Sequence, residues 1–369
     1  LAGWMERLVS RTSTPIAMVD ASCVVPMQMS PKSYQRAFEY RKATQELYEE
    51  RIDQEYFEQE VDCSFYQSPL PFKSLNLQDI CLATLICECR IDHSIAPVAD
   101  TPGGTRAGYA RWNRFRMHGL KLYEEERNDA SNRDGVSRMS AYLHFGMVSP
   151  FRIARQAAAA GADKYLDELL VWRELSFNFC FHNLDVLDSL DALPDWAHET
   201  LNEHASDARE SHYPWEILSR GKTEQPLWDA CQRSLIKHGE LHNNVRMTWG
   251  KAFLGWAPSP AAAMRLTMDL NHRYALDGRD PCSYGGVLWC FGLFDRPFQP
   301  AGKVFGKVRE RPCETHQSRL DLDKFETSVD RPIAGRIPRI AMVGAGVGGL
   351  MASRCLQDHG IDVTVFDKS

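Results

Sequence analysis

The chain of 369 residues carries 43 Lys and Arg against 49 Asp and Glu, a formal net charge of −6, and 44% of it is hydrophobic. This is the composition of an ordinary globular protein with room for two domains and the start of a third. It excludes a protein that coats nucleic acid through bulk charge, although not one with a local basic patch. No run of ~18 apolar residues marks a membrane span, and the N-terminus lacks the charged and apolar regions of a signal peptide. The 11 cysteines are scattered, without paired CxxC clusters of zinc spacing, and read as reduced, mostly core thiols of a cytoplasmic protein. No membrane, metal or obligate protein partner is expected, and a monomer is. Both ends, Leu1 without an initiator Met and "VTVFDKS" after a strand, read as cut ends of a longer chain.

In chain order, "PIAMVDASCVVP" (residues 15–26) is β-branched and apolar between prolines, which predicts a buried parallel strand. Helix formers dominate residues 33–60, and "LQDICLATLICECRID" (77–92) continues the helical pattern toward the loop "VADTPGG". A boundary near Ala96 separates this α/β remnant and its connector (1–95) from a helical domain (96–310). Residues 311–338 lack apolar periodicity and read as a linker. The last stretch, 339–369, reads as strand, glycine turn, helix, strand. The fold expected is therefore mainly α, with an α/β (Rossmann-like) remnant before it and one β-α-β unit of a truncated dinucleotide-binding domain after it.

That last unit carries GxGxxG at Gly344, Gly346 and Gly349, with Asp367 ending the second strand. Glycines let the backbone turn and approach a pyrophosphate at a helix N-terminus, and the acid suits ribose hydroxyls. The unit resembles the opening of flavin amine oxidases and renalase-like proteins, which implies a second FAD or an NAD(P) in a complete version. One β-α-β cannot bury both its sheet faces, so the motif is expected to be idle here. The helical part holds "DELLVWRELSFNF" (167–179), in which Glu168 and Trp172 are i and i+4 and share one helix surface. Taken alone, the pair also fits a core tryptophan beside an exposed glutamate. Trp249 and Trp256 lie two helical turns apart, about 10 Å along the axis, a stripe that equally suits core packing. "RPFQPAGKVFGKVRER" interleaves Arg296, Lys303, Lys307, Arg309 and Arg311 with Phe298 and Phe305, a composition suited to phosphate contacts.

Four segments in order, "SRMSAYLHFGMVSP" (137–150), "ELLVWREL" (168–175), "HNNVRMTWGKAFLGW" (242–256) and "LNHRYALDGRDPCSYGGVLW" (270–289), together resemble the flavin-binding domain of the DNA photolyase/cryptochrome family. "LDGRDP" and "VFGKVR" resemble the class II cyclobutane pyrimidine dimer photolyases in particular, and "VDASCVVP" resembles the end of that family's antenna domain. The resemblance covers residues 15–309. It implies reduced, anionic FAD as cofactor, dimer-containing duplex DNA as partner, and light-driven splitting of the dimer by electron transfer as the activity. An antenna pigment is left open.

The same resemblance assigns roles. Ser137, Arg138, Met139 and Ser140 match the segment holding the flavin pyrophosphate. Arg246 and Asp277 match the ion pair beside the isoalloxazine ring, and Asn271 the amide facing its N5. Glu168, Trp172, Met247 and Trp289 match the pocket for a flipped-out dimer, two tryptophans offering flat faces and the acid a donor to its carbonyl. Trp249, Trp228 and Trp256 match a tryptophan chain from flavin to surface. Lys303 and Lys307 suit DNA phosphates, and Arg309 matches the residue that fills the gap left by the flipped dimer. Cys282 and Ser283 depart from the class II pattern, and "HNNVRM" is closer to class I. The rival readings are a cryptochrome-like light sensor without repair and a flavin oxidoreductase active mainly through the C-terminal part.

Overall fold

Two helix crossings are so close that only glycine fits them. A Cβ on Gly250 would lie 2.5 Å from the Cys290 sulfur, and one on Gly285 would lie 2.3 Å from the Ser176 hydroxyl. Helices Arg173–His182, Asn243–Trp256 and Pro281–Cys290 are thereby packed almost backbone to backbone. Helices Pro226–His238 and Pro260–Tyr274 lie against them, and Trp228, Trp249 and Phe253 fill the space between with 0–1% exposure. The computed structural model describes residues 2–17, 19–54, 68–69, 71–209, 211–331, 340–358, 361 and 363–368.

Local chemistry sets the helix limits. Ser149, Ser259 and Asp280 each accept a backbone N–H of the first turn, and Pro150, Pro260 and Pro281 follow them at a position that needs no N–H. Gly221 and Gly239 end their helices in the left-handed conformation. Helix Asp163–Leu166 runs through a π-helical turn, Asp167–Trp172, into Arg173–His182. Wide turns of this kind are rare and cluster at functional sites.

Residues 15–26 form no strand among those described. Only Cys23, Val24 and Val25 of the run are fully buried, at 0% exposure, while Ile16 and Val19 are exposed, and no strand among the described residues pairs with them. Side chains take over the ladder. Val24 and Val25 donate their N–H groups to the Glu174 carboxylate at 2.6 and 3.1 Å, and Cys23 and Met27 donate theirs to Asp20 at 3.3 and 3.2 Å. The described part of residues 1–95 contains helices Ala2–Val9, Ala37–Asp53 and Leu82–Glu88 and no strand, so the α/β remnant expected there is corrected to helix and extended chain. Residues 55–67, the end of the first long helical pattern, lie outside the described residues.

The linker reading is also corrected. Helices Cys313–Gln317 and Leu322–Asp330 pack onto the domain, and Phe325 and Val329 are buried. The apolar stripe is short, Leu322, Phe325 and Val329 in a helix otherwise polar, too little to register as periodicity. Ion pairs complete the docking, with Arg233 on Glu326 and Asp330 and Lys237 on Asp330, each at 3.0 Å. Residues 332–338 of that stretch lie outside the described residues. Beyond them, β1 (Ile340–Val343) pairs in parallel with β2 (Val363–Phe366), Ile340 opposite Val363, with helix Val347–Asp358 between. Val343 and Phe366 stay 85% and 54% exposed, so this small sheet has uncovered apolar surface. Among the described residues no helix is long and apolar enough to cross a membrane, and no cluster of His, Cys, Asp or Glu could hold a metal.

Glu174 ties the N-terminal segment to the core, since it also accepts from Tyr48 at 3.0 Å while 1% exposed. Burial pushes its carboxyl up to about 7, against the opposing pull of the Val24 N–H, Arg173, the Val25 N–H and Tyr48. Its folded state thus holds a proton that the unfolded chain releases at lower pH. The stability this contributes is present at low pH and is lost as pH rises through about 7. Glu174→Gln is expected to flatten the fall in urea midpoint between about pH 5 and 7 and to cost about 1–3 kcal/mol at pH 5, a deficit that shrinks toward pH 8 because the wild type loses there what the amide never had.

Candidate cofactor and substrate site

One cavity of about 350 Å³ opens between the π-helical turn, residues 133–143, the turn before helix Asn243–Trp256, the start of helix Pro281–Cys290 and helix Leu322–Asp330. Its wall carries six arginines (Arg127, Arg133, Arg138, Arg173, Arg246 and Arg331) and four carboxylates (Glu168, Glu240, Asp277 and Asp280). His242, also on the wall, is lowered to about 4 by burial and adds no charge near neutral pH. The wall therefore has an excess of two positive charges, a field that favours a dianionic ligand.

Of the segment read as a pyrophosphate cradle, Ser137, Arg138, Met139 and Ser140 all line the cavity. Arg138 has a left-handed backbone, φ 54°, and pairs with Glu240, donating through Nε to Oε2 at 2.8 Å while Nη2 stands 2.6 Å from Oε1 without hydrogen-bond geometry. Burial works against ionising Glu240, but Arg138 and Arg133 outweigh it and hold its carboxyl below the usual range. Ser137 accepts from the Tyr165 hydroxyl at 3.1 Å.

Arg246 donates to the Asn271 carbonyl at 2.7 Å and stands 3.7 Å from Asp277. Asn271 is fully buried, and its amide donates to the Ser283 hydroxyl at 2.6 Å and the Gly278 carbonyl at 3.3 Å. It backs the wall while Arg246, Asp277 and Ser283 form it. Two groups passed over in the sequence also line the cavity. Arg173 donates through Nη1 to the Ser22 carbonyl at 2.7 Å, while its buried Nη2 has no hydrogen-bond partner among the described residues. His242 accepts the Asn244 N–H at Nδ1, 3.2 Å, which puts its proton on Nε2, also buried and unpartnered. Buried donors left without acceptors are costly unless a ligand supplies them. The signal for Arg173 was its place directly after Trp172; nothing in the sequence marked which nitrogen of His242 is a donor.

Glu168 is on the cavity wall, and its Oε1 is engaged by Arg127 and, at 2.8 Å, by Lys164. The acid is thus part of an ion cluster, not the isolated carboxyl that the expected donor role pictures. One turn further, Trp172 and Trp289 stack on each other, centroids 4.9 Å apart and planes 13° from parallel. They form a single two-ring platform, so a flat ligand meets one face of the pair and does not slot between them. Met247, next to Arg246, is half-buried.

Trp249 and Trp228 are buried and stacked, 6.2 Å and 13°, and Trp228 meets Trp256 at 5.2 Å and 70°. Their N–H groups are fixed, Trp228 to the Trp249 carbonyl and Trp249 to Gln232, each at 3.0 Å. Tyr213, which sequence reasoning missed because it lies in a loop, extends the row, 5.0 Å from Trp256.

In the basic segment, Gly302 and Gly306 exchange hydrogen bonds at 2.8 Å, and Val304, Phe305 and Val308 are buried beneath. This lifts Lys303 to an exposed tip, leaves Lys307 half-buried and Arg309 exposed. Phe298 gathers Arg296 and Arg309 over its ring at 5.3 and 5.5 Å. At the C-terminal motif Gly344 has φ 103°, and a Cβ on Gly349 would fall 2.0 Å from the Gly344 carbonyl oxygen, while a Cβ on Gly346 would meet nothing. Asp367 is exposed at the end of β2.

No protein-family model matches the chain. Curated proteins do. The chain is 33% identical over 335 residues to the deoxyribodipyrimidine photo-lyase of Methanothermobacter thermautotrophicus, covering 89% of this chain and 71% of the relative. It is 38% identical to that of Oryza sativa over 59% of this chain and 44% of the relative, and 34% identical to that of Potorous tridactylus over 65% and 46%. The chain thus spans less than half of the last two. Among solved structures, a Synechocystis cryptochrome superposes with TM-score 0.56 at 19% identity, covering 83% of this chain and 61% of the other. A photolyase from Sulfolobus tokodaii, described with two FAD molecules, superposes with TM-score 0.50 at 17% identity, covering 84% and 60%. These two show a shared fold, and the 33% identity to the Methanothermobacter enzyme over most of both chains goes further: the protein belongs to the deoxyribodipyrimidine photo-lyase family.

Proposed function

We propose that the protein is a class II-like photolyase that binds reduced FAD in the cavity and splits cyclobutane pyrimidine dimers in DNA under light. The observation that carries this reading is the excess of two positive charges on the cavity wall together with the unpartnered donors of Arg173 and His242. FAD brings a pyrophosphate of two negative charges and acceptor atoms for both donors, so the residues present fit it. When bound and reduced, it supplies on excitation the electron that opens the dimer's cyclobutane ring.

The rest is the work of the chain. Arg246, with Asp277 behind it, places a cation where negative charge on the ring system is stabilised. The Trp172–Trp289 platform offers a flipped dimer an apolar face, and Met247 borders it. The Glu168, Arg127 and Lys164 cluster presents polar groups to its edge, where charge grows. Trp249, Trp228 and Trp256 form the route by which electrons enter from the surface. Lys303, Lys307 and Arg309 contact DNA phosphates and the vacated gap, so binding weakens with salt. The Gly344, Gly346, Gly349 and Asp367 unit is proposed as a further dinucleotide-binding element.

The deciding measurement is repair of a thymine-dimer oligonucleotide by the flavin-loaded, reduced protein; repair in light and none in darkness is expected, and flavin binding without repair sinks the proposal. Glu168→Ala is expected to lower the repair yield roughly tenfold or more with flavin still bound. Trp228→Phe is expected to stop photoreduction of oxidised flavin while chemically reduced enzyme still repairs. Loss of both activities would show damage to the core instead.

A further inference from the structure

The segment read from sequence as a linker contributes Phe325, Ser328, Val329 and Arg331 to the cavity wall. Its charged end is held by pairing, although Arg331 stays 23% exposed. Arg331 reaches back to Asp100 at 2.5 Å and to His238 Nδ1 at 3.0 Å, while His238 donates through Nε2 to the Val329 carbonyl at 2.7 Å. Asp100 also holds Arg133 at 3.1 Å, Arg133 holds Glu240 at 3.2 Å, and Glu240 pairs with Arg138. The result is an alternating row of three guanidinium groups and two carboxylates that begins and ends on an arginine. One positive charge in the row has no counter-ion, and all three arginines are on the wall. Apolar docking of Phe325 and Val329 and the Arg233 and Lys237 ion pairs fix the helix that delivers Arg331.

We propose that helix Leu322–Asp330 and Arg331 form a clamp on the phosphate-bearing part of the cofactor, with Arg331 as a phosphate contact positioned by Asp100. The inference rests on the flavin reading above and names a retention device within it. Without the clamp, the cavity keeps its ring-side residues and loses one of its two excess charges.

The test compares FAD with riboflavin, which has the ring system and no phosphate, by fluorescence titration of the full chain, with thermal melting of each variant. Arg331→Ala is expected to raise the FAD dissociation constant about tenfold or more, the scale of one hydrogen bond to a charged group. Riboflavin affinity is expected to change less than twofold, and Arg331→Lys to recover most of the FAD affinity. Asp330→Ala, which loosens the helix without touching the wall, is expected to speed FAD release several-fold. Unchanged FAD affinity in Arg331→Ala overturns the clamp, and so does equal weakening of FAD and riboflavin, which would mark a packing role only. Wild-type protein that binds riboflavin and FAD equally overturns it too, and wild type that binds neither overturns the flavin reading beneath it.

Discussion

The site depends on how closely three helices approach one another. Gly250 against Cys290 and Gly285 against Ser176 bring Arg173–His182, Asn243–Trp256 and Pro281–Cys290 nearly into backbone contact. Residues far apart in the chain then share one wall: Arg173 from the first, with Glu168 from the π-helical turn leading into it, Arg246 from the second, and Cys282, Ser283 and Gly286 from the third. Any side chain at those glycines would push the walls apart, because close-packed interiors have no slack to absorb it. The same crossing sets Trp172 over Trp289 and brings Trp249 within reach of Trp228.

A wall built this way concentrates charge. Six arginines and four carboxylates around one cavity could not persist without pairing, and most are paired: Arg138 with Glu240, Arg133 with Asp100 and Glu240, Arg246 with Asp277. Burial makes each unpaired group expensive, so the surplus is confined to what a dianion neutralises. The acidic net charge of the whole chain says nothing about this local sign. The late helix Leu322–Asp330 belongs to the same arrangement, since its Arg331 shares Asp100 with Arg133. A stretch that composition presents as connecting chain is thus part of the cavity.

The N-terminal segment shows a different separation between pattern and structure. Cys23, Val24 and Val25 are apolar and buried, as their residue types require, yet no strand among the described residues pairs with them. Their backbone donors found carboxylates, Glu174 and Asp20, because buried N–H groups must be satisfied by something. Burial was legible in the residue types; the partner was not, since it lies about 150 positions away. The glutamate next to Arg173 gives no local sign that it will serve as a substitute strand edge.

What the sequence by itself determined is whatever is local: the serine, aspartate and proline signals that start helices, the shared face of Glu168 and Trp172, the stripe of Trp249 and Trp256, and the glycine spacing at 344–349. Motif order along the chain carried the family as well. What only the tertiary structure decided is whatever needs two distant segments to meet. It set the 6.2 and 5.2 Å spacings at which Trp228 meets Trp249 and Trp256, and it stacked Trp172 on Trp289 instead of spacing them as separate plates. It buried the free nitrogens of Arg173 and His242, and it folded residues 313–331 onto the cavity. Helix propensity and capping act within a few residues, whereas the sign of a cavity and the partner of a buried donor are set by which surfaces the packed helices bring into contact.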